Sequence, residues 1–437
     1  MYQNGDTIYA LASGLGTAGV AVIRVSGPKA KETLKRLTSI KKAEAGKVYF
    51  SAIKDGKKVL DRALVLYFKA PHSFTGEDVV EYQVHGGRGV ISSVMQALAK
   101  IDDLRPAERG EYSRRAVING KMDLTEAEGL LDLIHAETEE QRKQALAQMD
   151  GNLSALYEGW RKKLVHHLAY AEAFIDFPEE EIPPEKEHEI NGDIQKLIEE
   201  IDKHLNDDRR GERLRDGYQI AILGVPNVGK SSLINALTKR EVAIVSQTAG
   251  TTRDIVEAHL DVAGFPVILA DTAGLRNSKE EIEAEGIRRA VKKAEQADLI
   301  LFVQDIKHYP KAEKLPKELL KKRVITIWNK TDLYNIKENK SDFFISAKTG
   351  KGIQRLWDEI KTILMDSFAG GAAITRERYR VALKQCANHL KDALRVQELE
   401  LKTEDLRLAA RSLGRITGRI EVDELLDVIF KDFCIGK

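Results

Sequence analysis

Residues 224–231 read GVPNVGKS, between the apolar run YQIAIL (218–223) and SLINALTK (232–239), whose apolar residues recur at helical spacing. A strand, a glycine loop and a helix in that order constrain this chain more than any other feature, because they are the context a phosphate loop requires. Glycines let the backbone close around an anion, whose charge is met by amide N–H groups and by the positive end of the following helix. Lys230 is then expected at the β- and γ-phosphates of a nucleotide and Ser231 on its Mg²⁺, with Val228, Gly229 and Ser232 completing the loop. Taken alone, the pattern fits an ATPase equally well.

Three further motifs narrow the nucleotide to guanine. DTAG (271–274) ends the strand-like VILA; it supplies Asp271 near the metal, and Thr272, Ala273 and Gly274 near the γ-phosphate. NKTD (329–332) follows the strand-like VITIW. Asn329 and Lys330 belong to it, and the Asp332 carboxylate can accept both guanine N–H donors, a pattern adenine does not present. Ser346, Ala347 and Lys348, after DFFI, come in the right order to close over the base. This order resembles the translation-factor-like class of P-loop GTPases, and GTTRD (250–254) is similar to its first switch. The resemblance makes Thr252 the second protein ligand of Mg²⁺, with Thr251 the close alternative.

In familiar signalling GTPases a glutamine after DTAG orients the attacking water. Leu275 stands there instead and cannot hydrogen-bond water. Arg276 is adjacent, but an arginine in such a segment is more often simply solvated. Hydrolysis therefore needs another water-orienting group and another source of positive charge. Asn227, three residues before Lys230, offers a side-chain carbonyl beside the phosphates, where a monovalent cation could sit. Equally, it could be a loop-stabilising turn residue.

At 437 residues the chain is too long for one ordinary domain. VAVIRVSG (20–27), ALVLYFKA (63–70) and DVVEYQVHGG (78–87) read as strands, which predicts an N-terminal α+β domain over 1–118. LTEAEGLLDLIHAETEEQRKQALAQM (124–149) and LSALYEGWRKKLVHHLAYAEAFIDF (153–177) carry helical periodicity, which returns from about Glu377 to Phe433. PEEEIPPEKEHE (178–189) is expected to be a solvated loop. The architecture that results is multidomain α/β and α. A helical domain made of two segments, 119–215 and 370–437, receives an inserted P-loop domain over 216–369. Sixty-nine basic residues against 68 acidic ones argue neither for nor against an anionic partner, so any nucleic-acid surface must be a local patch. Two cysteines, Cys386 and Cys434, support neither a disulfide framework nor a four-ligand zinc site and fit a reducing cytosol. No apolar run nears the roughly 20 residues that span a bilayer, and MYQNGDTIYALASGLG lacks the form of a signal peptide. A cytoplasmic protein is expected.

Outside the nucleotide motifs, DTIYALAS (6–13), IRVSG (23–27), PHSFTGEDVVEYQVHGG (71–87), RPAERGEYSRRAVINGKMDLTEAEGL (105–130) and FCIGK (433–437) together resemble the tRNA-modification GTPases of the MnmE (TrmE) family. The resemblance implies a folate-binding N-terminal domain, dimerisation through that domain, and a flavoprotein partner, MnmG, in a heterotetramer. It further implies modification of carbon 5 of the wobble uridine (position 34) of certain tRNAs, with a one-carbon unit from 5-formyl- or methylene-tetrahydrofolate. Carried over by motif, Arg24, Glu81, Lys121 and Lys437 contact the folate. Asn227, Ser246, Thr248 and Thr251 bind K⁺, which supports hydrolysis when two G domains meet, and Glu283 orients the water. Without the resemblance, Arg24 and Lys121 are more simply exposed charges, Glu81 a residue on the solvated face of a strand, and Glu283 one more charge at a solvated helix start. Cys434 has three readings: a poor prenylation match, a small hydrophobe, or a thiol with a chemical role near the folate. Two rivals stand beside this reading: a ribosome-assembly GTPase without one-carbon chemistry, and a GTP-gated folate-dependent transferase acting on protein or small molecule.

Overall fold

The computed structural model describes the chain except for residues 1–4, 15, 177–183, 240–241, 244–256, 272–290, 335–341, 369, 371–372, 421–425, 427–428 and 437. The chain folds as two compact units. One gathers Met1–Leu131, Met149–Lys162 and Ala410–Lys437; the other holds Asp132–Gln148 and Lys163–Ala409.

The first unit begins with strands β1 (Thr7–Leu11) and β2 (Ala21–Ser26), helix α1 (Ala30–Leu37), strands β3 (Val48–Asp55), β4 (Lys58–Phe68) and β5 (Val79–Val84), helix α2 (Arg88–Leu98), strand β6 (Leu104–Pro106) and helix α3 (Glu111–Ile118). The sheet runs β3-β4-β5-β2-β1-β6, antiparallel except for the β1–β6 pair. Alternation sets its two faces. Ile23, Val25, Val80 and Tyr82 meet α1 and α2 through Leu34, Leu37, Val94 and Leu98. Arg24 and Glu81 therefore face the opposite side, where Ile8 and Ala10 pack against Tyr112 of α3. The three expected N-terminal strands are thus β2, β4 and β5.

The periodic run 124–149 forms two helices, α4 (Leu124–His135) and α5 (Glu139–Met149). Thr138 and Gln141 form a reciprocal cap: the Thr138 N–H donates to Gln141 Oε1 at 3.1 Å and the Gln141 N–H to Thr138 Oγ1 at 3.5 Å. Then come α6 (Asn152–Asp176) and α7 (Pro184–Leu205). Helix α7 corrects the expected loop over 184–189, which is helical, while 178–183 lie outside the described residues. Proline is tolerated at a first helical position, so a residue that breaks a helix interior here begins one. In the first unit, α4 meets the chain's C-terminal segment: Leu124, Ala127 and Leu131 pack with Leu426, Ile429, Phe430 and Phe433. Burying a phenylalanine is worth about 1.5–3 kcal/mol, enough for Phe430 and Phe433 to anchor that segment.

In the second unit α8 (Arg210–Asp216) leads into a seven-stranded sheet, β13-β12-β11-β7-β10-β9-β8. Its members are β7 (Tyr218–Leu223), β8 (Val242–Ala243), β9 (Glu257–Val262), β10 (Phe265–Asp271), β11 (Leu299–Asp305), β12 (Arg323–Asn329) and β13 (Phe343–Phe344), with helix α9 (Lys230–Thr238) after β7. Strands β7 and β10–β13 are parallel; β9 runs antiparallel to β10, and β8 to β9. Every residue of β11 is buried, as befits a central strand covered on both faces. Helices α10 (Ile353–Phe368), α11 (Glu377–Ala393) and α12 (Leu399–Thr417) follow. The inserted character of the sheet domain shows in how its two ends are tied. Buried Arg380 on α11 donates to Asp207 at 2.5 Å, to Glu212 at 3.0 Å and to the Leu205 carbonyl at 3.0 Å, and the Ile374 N–H donates to Asp207 at 3.3 Å.

Candidate functional site

Strand β7 ends at Leu223, and residues 224–229 turn directly into α9, so the phosphate-loop sequence occupies the expected strand–loop–helix corner. The chain leaves β7 for β10 on one side and places β11 on the other, which makes the carboxyl end of β7 a topological switch point, where open α/β sheets bind ligands. Gly229 takes φ +97°, and a Cβ there would overlap the Asn329 amide nitrogen. Asn227 adopts a left-handed φ of +65°. Lys230 is largely buried, and its ammonium donates to the carbonyls of Gly224 (2.6 Å) and Val225 (3.0 Å), which holds it over the loop.

The NKTD and SAK segments converge on the same corner. Asn329, at the end of β12, donates through Nδ2 to the Val228 carbonyl (2.8 Å) and accepts through Oδ1 from the Ala347 N–H (3.0 Å). One buried amide thereby joins the phosphate loop, NKTD and SAK. Ser346 Oγ donates to Asp332 Oδ1 at 2.6 Å and accepts from the Thr349 N–H at 3.1 Å. The Ser346 hydroxyl keeps the exposed Asp332 carboxyl below the usual carboxylate range, so it is ionised and acceptor-only at neutral pH. The structure therefore brings together Asn227, Val228, Gly229, Lys230, Asn329, Lys330, Asp332, Ser346 and Ala347; Ser231 and Ser232 follow Lys230 in the first turn of α9, and Lys348 is exposed beside Ala347.

A second polar site lies in the first unit. Arg24 on β2 and Glu81 on β5 are cross-strand partners, and Glu81 Oε1 accepts from Arg24 Nε (2.9 Å) and lies 2.8 Å from Nη2. The guanidinium lies 5.2 Å from the Phe74 ring centroid and 5.6 Å from that of Tyr112. Tyr112 donates its hydroxyl to the Arg24 carbonyl at 2.7 Å. Lys121 lies beside the same loop: its stem runs against Gly76, and Asn119 donates to the Thr75 carbonyl at 2.7 Å. The C-terminal tail reaches this sheet as well. The Gly110 N–H donates to the Cys434 carbonyl at 3.3 Å, and Gly436 passes so close to Leu11 that a Cβ would overlap its carbonyl. Cys434 is exposed, unlike Cys386, whose thiol is pushed up to about 12 by burial.

Two family models match the chain: "GTP-binding protein TrmE N-terminus" over residues 7–121 and "MnmE helical domain" over 124–434. The chain belongs to the MnmE (TrmE) family of tRNA modification GTPases. Relatives agree over nearly the full length. A tRNA modification GTPase MnmE of Paramagnetospirillum magneticum is 50% identical across 99% of this chain and 100% of its own, and that of Rhodospirillum rubrum is 48% identical across 99% of each. The mitochondrial 5-taurinomethyluridine-[tRNA] synthase subunit GTPB3 of Danio rerio is 44% identical across all of this chain and 94% of its own. Among solved structures, the Era protein of Aquifex aeolicus bound to GDP and AlF4⁻ aligns with 41% of this chain and 68% of its own at 27% identity, with a TM-score of 0.26.

Several family-implied positions lie outside the described residues: Ser246, Thr248, Thr251, Thr252, Thr272, Ala273, Gly274, Leu275, Arg276, Glu283 and Lys437, as does the side chain of Asp271. Sequence reasoning missed the charged cluster beside Arg24, on the same side of the sheet. Arg115 Nη2 contacts Asp6 (2.5 Å) and Glu111 (2.9 Å), and Nη1 contacts Glu77 (3.1 Å). Arg105 reaches Asp6 and Glu111, each at 2.6 Å, and Ser26 donates to Glu77 at 2.7 Å. Burial opposes the charge on Glu111 and on Asp6, yet the guanidiniums hold both carboxyls below the usual range. The cluster fixes the 73–78 loop, and with it Phe74. Glu111 and Arg115 at i, i+4 inside RPAERGEYSRRA were its one signal in the sequence.

Proposed function

We propose that this protein hydrolyses GTP and couples that hydrolysis to modification of carbon 5 of uridine 34 in certain tRNAs, with a folate-borne one-carbon unit and a flavoprotein partner, MnmG. The observation that carries the reading is the convergence of the phosphate loop, Asn329, Asp332 and Ser346 on one corner of the sheet, in a chain of this family. The guanine-reading acceptor is Asp332, and the phosphate contacts come from Lys230 and the loop amides. Mg²⁺ would be held by Ser231 and Thr252, and K⁺ by Asn227, Ser246, Thr248 and Thr251; both supply positive charge against the phosphates. The tight approach at Gly229 and the left-handed Asn227 fit a loop wrapped around an anion. Glu283 orients water in place of the missing glutamine.

Residues 1–118 bind 5-formyl- or methylene-tetrahydrofolate and form the homodimer, 119–215 with 370–437 form the helical domain, and 216–369 form the G domain. Glu81 suits the pterin end, since among the described residues its Oε2 accepts nothing while Oε1 is held by Arg24. Arg24, Lys121 and Lys437 suit the folate carboxylates. Cys434, exposed at the tail, stands ready for a chemical role. Such a protein works in the cytoplasm; among the described residues no helix is long and apolar enough to cross a membrane. Mass spectrometry of tRNA nucleosides from a deletion strain tests the reading. The carbon-5 substituent at position 34 should disappear and return with the wild-type gene but not with Asp332→Asn. An unchanged nucleoside profile would favour the ribosome-assembly alternative.

A further inference from the structure

Lys330 stands in an unusual conformation. It is not glycine, yet its φ is +69°, in the left-handed region that lysine rarely enters. Its ammonium lies 2.6 Å from Asp305 Oδ2. Asp305 ends β11 directly opposite Asn329 at the end of β12, so the pair bridges the two strand ends that flank the nucleotide corner. Asp305 is itself held: its Oδ1 accepts from the Lys307 N–H at 3.1 Å, and it is only 7% exposed. Burial opposes its charge, but the Lys330 ammonium keeps the carboxyl below the usual range. On the far side of Lys330, Thr331 is buried and donates its N–H to the Ile345 carbonyl at 3.1 Å, while Lys330 is half-buried and Asp332 exposed. Lys330 and Asp332 are thereby left on the open side of the segment.

We infer that Asp305 is a positioning residue for nucleotide binding, which pins the Lys330 ammonium so that the lysine stem is laid down in advance as a wall of the base pocket. A free lysine stem has several rotatable bonds, and ordering it on binding costs about 1–2 kcal/mol. A stem already fixed by a buried carboxylate avoids that loss. The effect belongs to ground-state binding. It acts alike on GTP and GDP, because neither residue meets the γ-phosphate, and it leaves the hydrolytic step alone. The inference rests on the guanine-nucleotide reading of this corner.

Asp305→Asn tests it, since asparagine can still accept from the Lys307 N–H through Oδ1 but presents an amide NH2, which cannot accept, to the Lys330 ammonium. Full-length protein is titrated with GDP and with a non-hydrolysable GTP analogue, and kcat is measured at saturating GTP. The expected result is a five- to thirtyfold weaker Kd for both nucleotides, from the ordering cost above, with kcat within about twofold. Lys330→Met keeps the apolar stem and breaks the pair from its more exposed side, so it serves even if the buried position tolerates no change. In the Lys330→Met background, Asp305→Asn should weaken binding no further. Asp305→Glu should restore part of the affinity. Equal Kd values in wild type and Asp305→Asn overturn the inference, as does an additive double mutant, which would mean that Asp305 acts through the strand end. Wild-type protein that binds neither nucleotide would sink the reading of the whole corner, a distinguishable failure.

Discussion

Replacing Arg115 by methionine should loosen the first unit selectively. Arg115 is 5% exposed and serves three carboxylates: Asp6, Glu77 and Glu111. Removing one partner of a buried ionic network costs about 3–5 kcal/mol, because the remaining charge stays buried without compensation. Two features place this case at the low end. Arg105 still reaches Glu111 through two bonds of 2.9 and 2.6 Å and Asp6 at 2.6 Å, and the Glu77 side chain is 25% exposed. About 3 kcal/mol is therefore expected, which is two decades of amide-exchange protection at roughly 1.4 kcal/mol per decade. Exchange followed by mass spectrometry should show that loss in peptides from β1, β6 and α3, with peptides from β7, β11 and β12 unchanged. The pH dependence follows by linkage. Asp6 and Glu111 have lowered values in the folded protein, so their stabilisation is present above the unfolded carboxylate range and is lost as pH falls through the lowered values, below about pH 4. With Arg115 gone there is less to lose, and the acid limb of stability should be shallower than in wild type. Protection in α3 within a factor of three of wild type, with the same acid limb, would refute this account of the cluster.

Other perturbations separate the remaining claims. Asp332→Asn should weaken GTP binding and admit xanthosine nucleotides, because the amide cannot accept from both guanine donors; an unchanged GTP titration would remove NKTD from the base pocket. Turnover in K⁺ should exceed that in Na⁺ at equal ionic strength, and Asn227→Ala should abolish the difference; equal rates in wild type would end the potassium reading that Leu275 motivates. Deleting residues 434–437 leaves Phe430 and Phe433 in the core they share with Leu124. It should therefore spare GTP hydrolysis and lower folate affinity by calorimetry; normal folate binding and normal tRNA modification in the deletion would free the tail of any role.

Local order was legible wherever physics acts over a few residues. The phosphate loop could be read because glycine spacing between a strand and a helix permits little else, and the NKTD segment because it directly follows a buried strand. The N-terminal strands were visible as apolar alternation, and the resemblance picked out Arg24 and Glu81 separately. Their pairing was not visible, since 57 residues separate them and only sheet register sets β2 beside β5. Helix ends were less secure. The 124–149 run splits because the Thr138–Gln141 cap outweighs continuous periodicity, and Pro184 begins a helix because the proline penalty disappears where no N–H is needed. Tertiary structure alone decided the buried ionic cluster, the Arg380 tie between the ends of the inserted domain, and the Asp305–Lys330 pair. Apart from Glu111 and Arg115, which share one helix, the partners lie far apart in sequence or in different elements, and their worth comes from being withdrawn from water together. Composition shows that such charges exist; only the folded chain shows which of them are left to face each other.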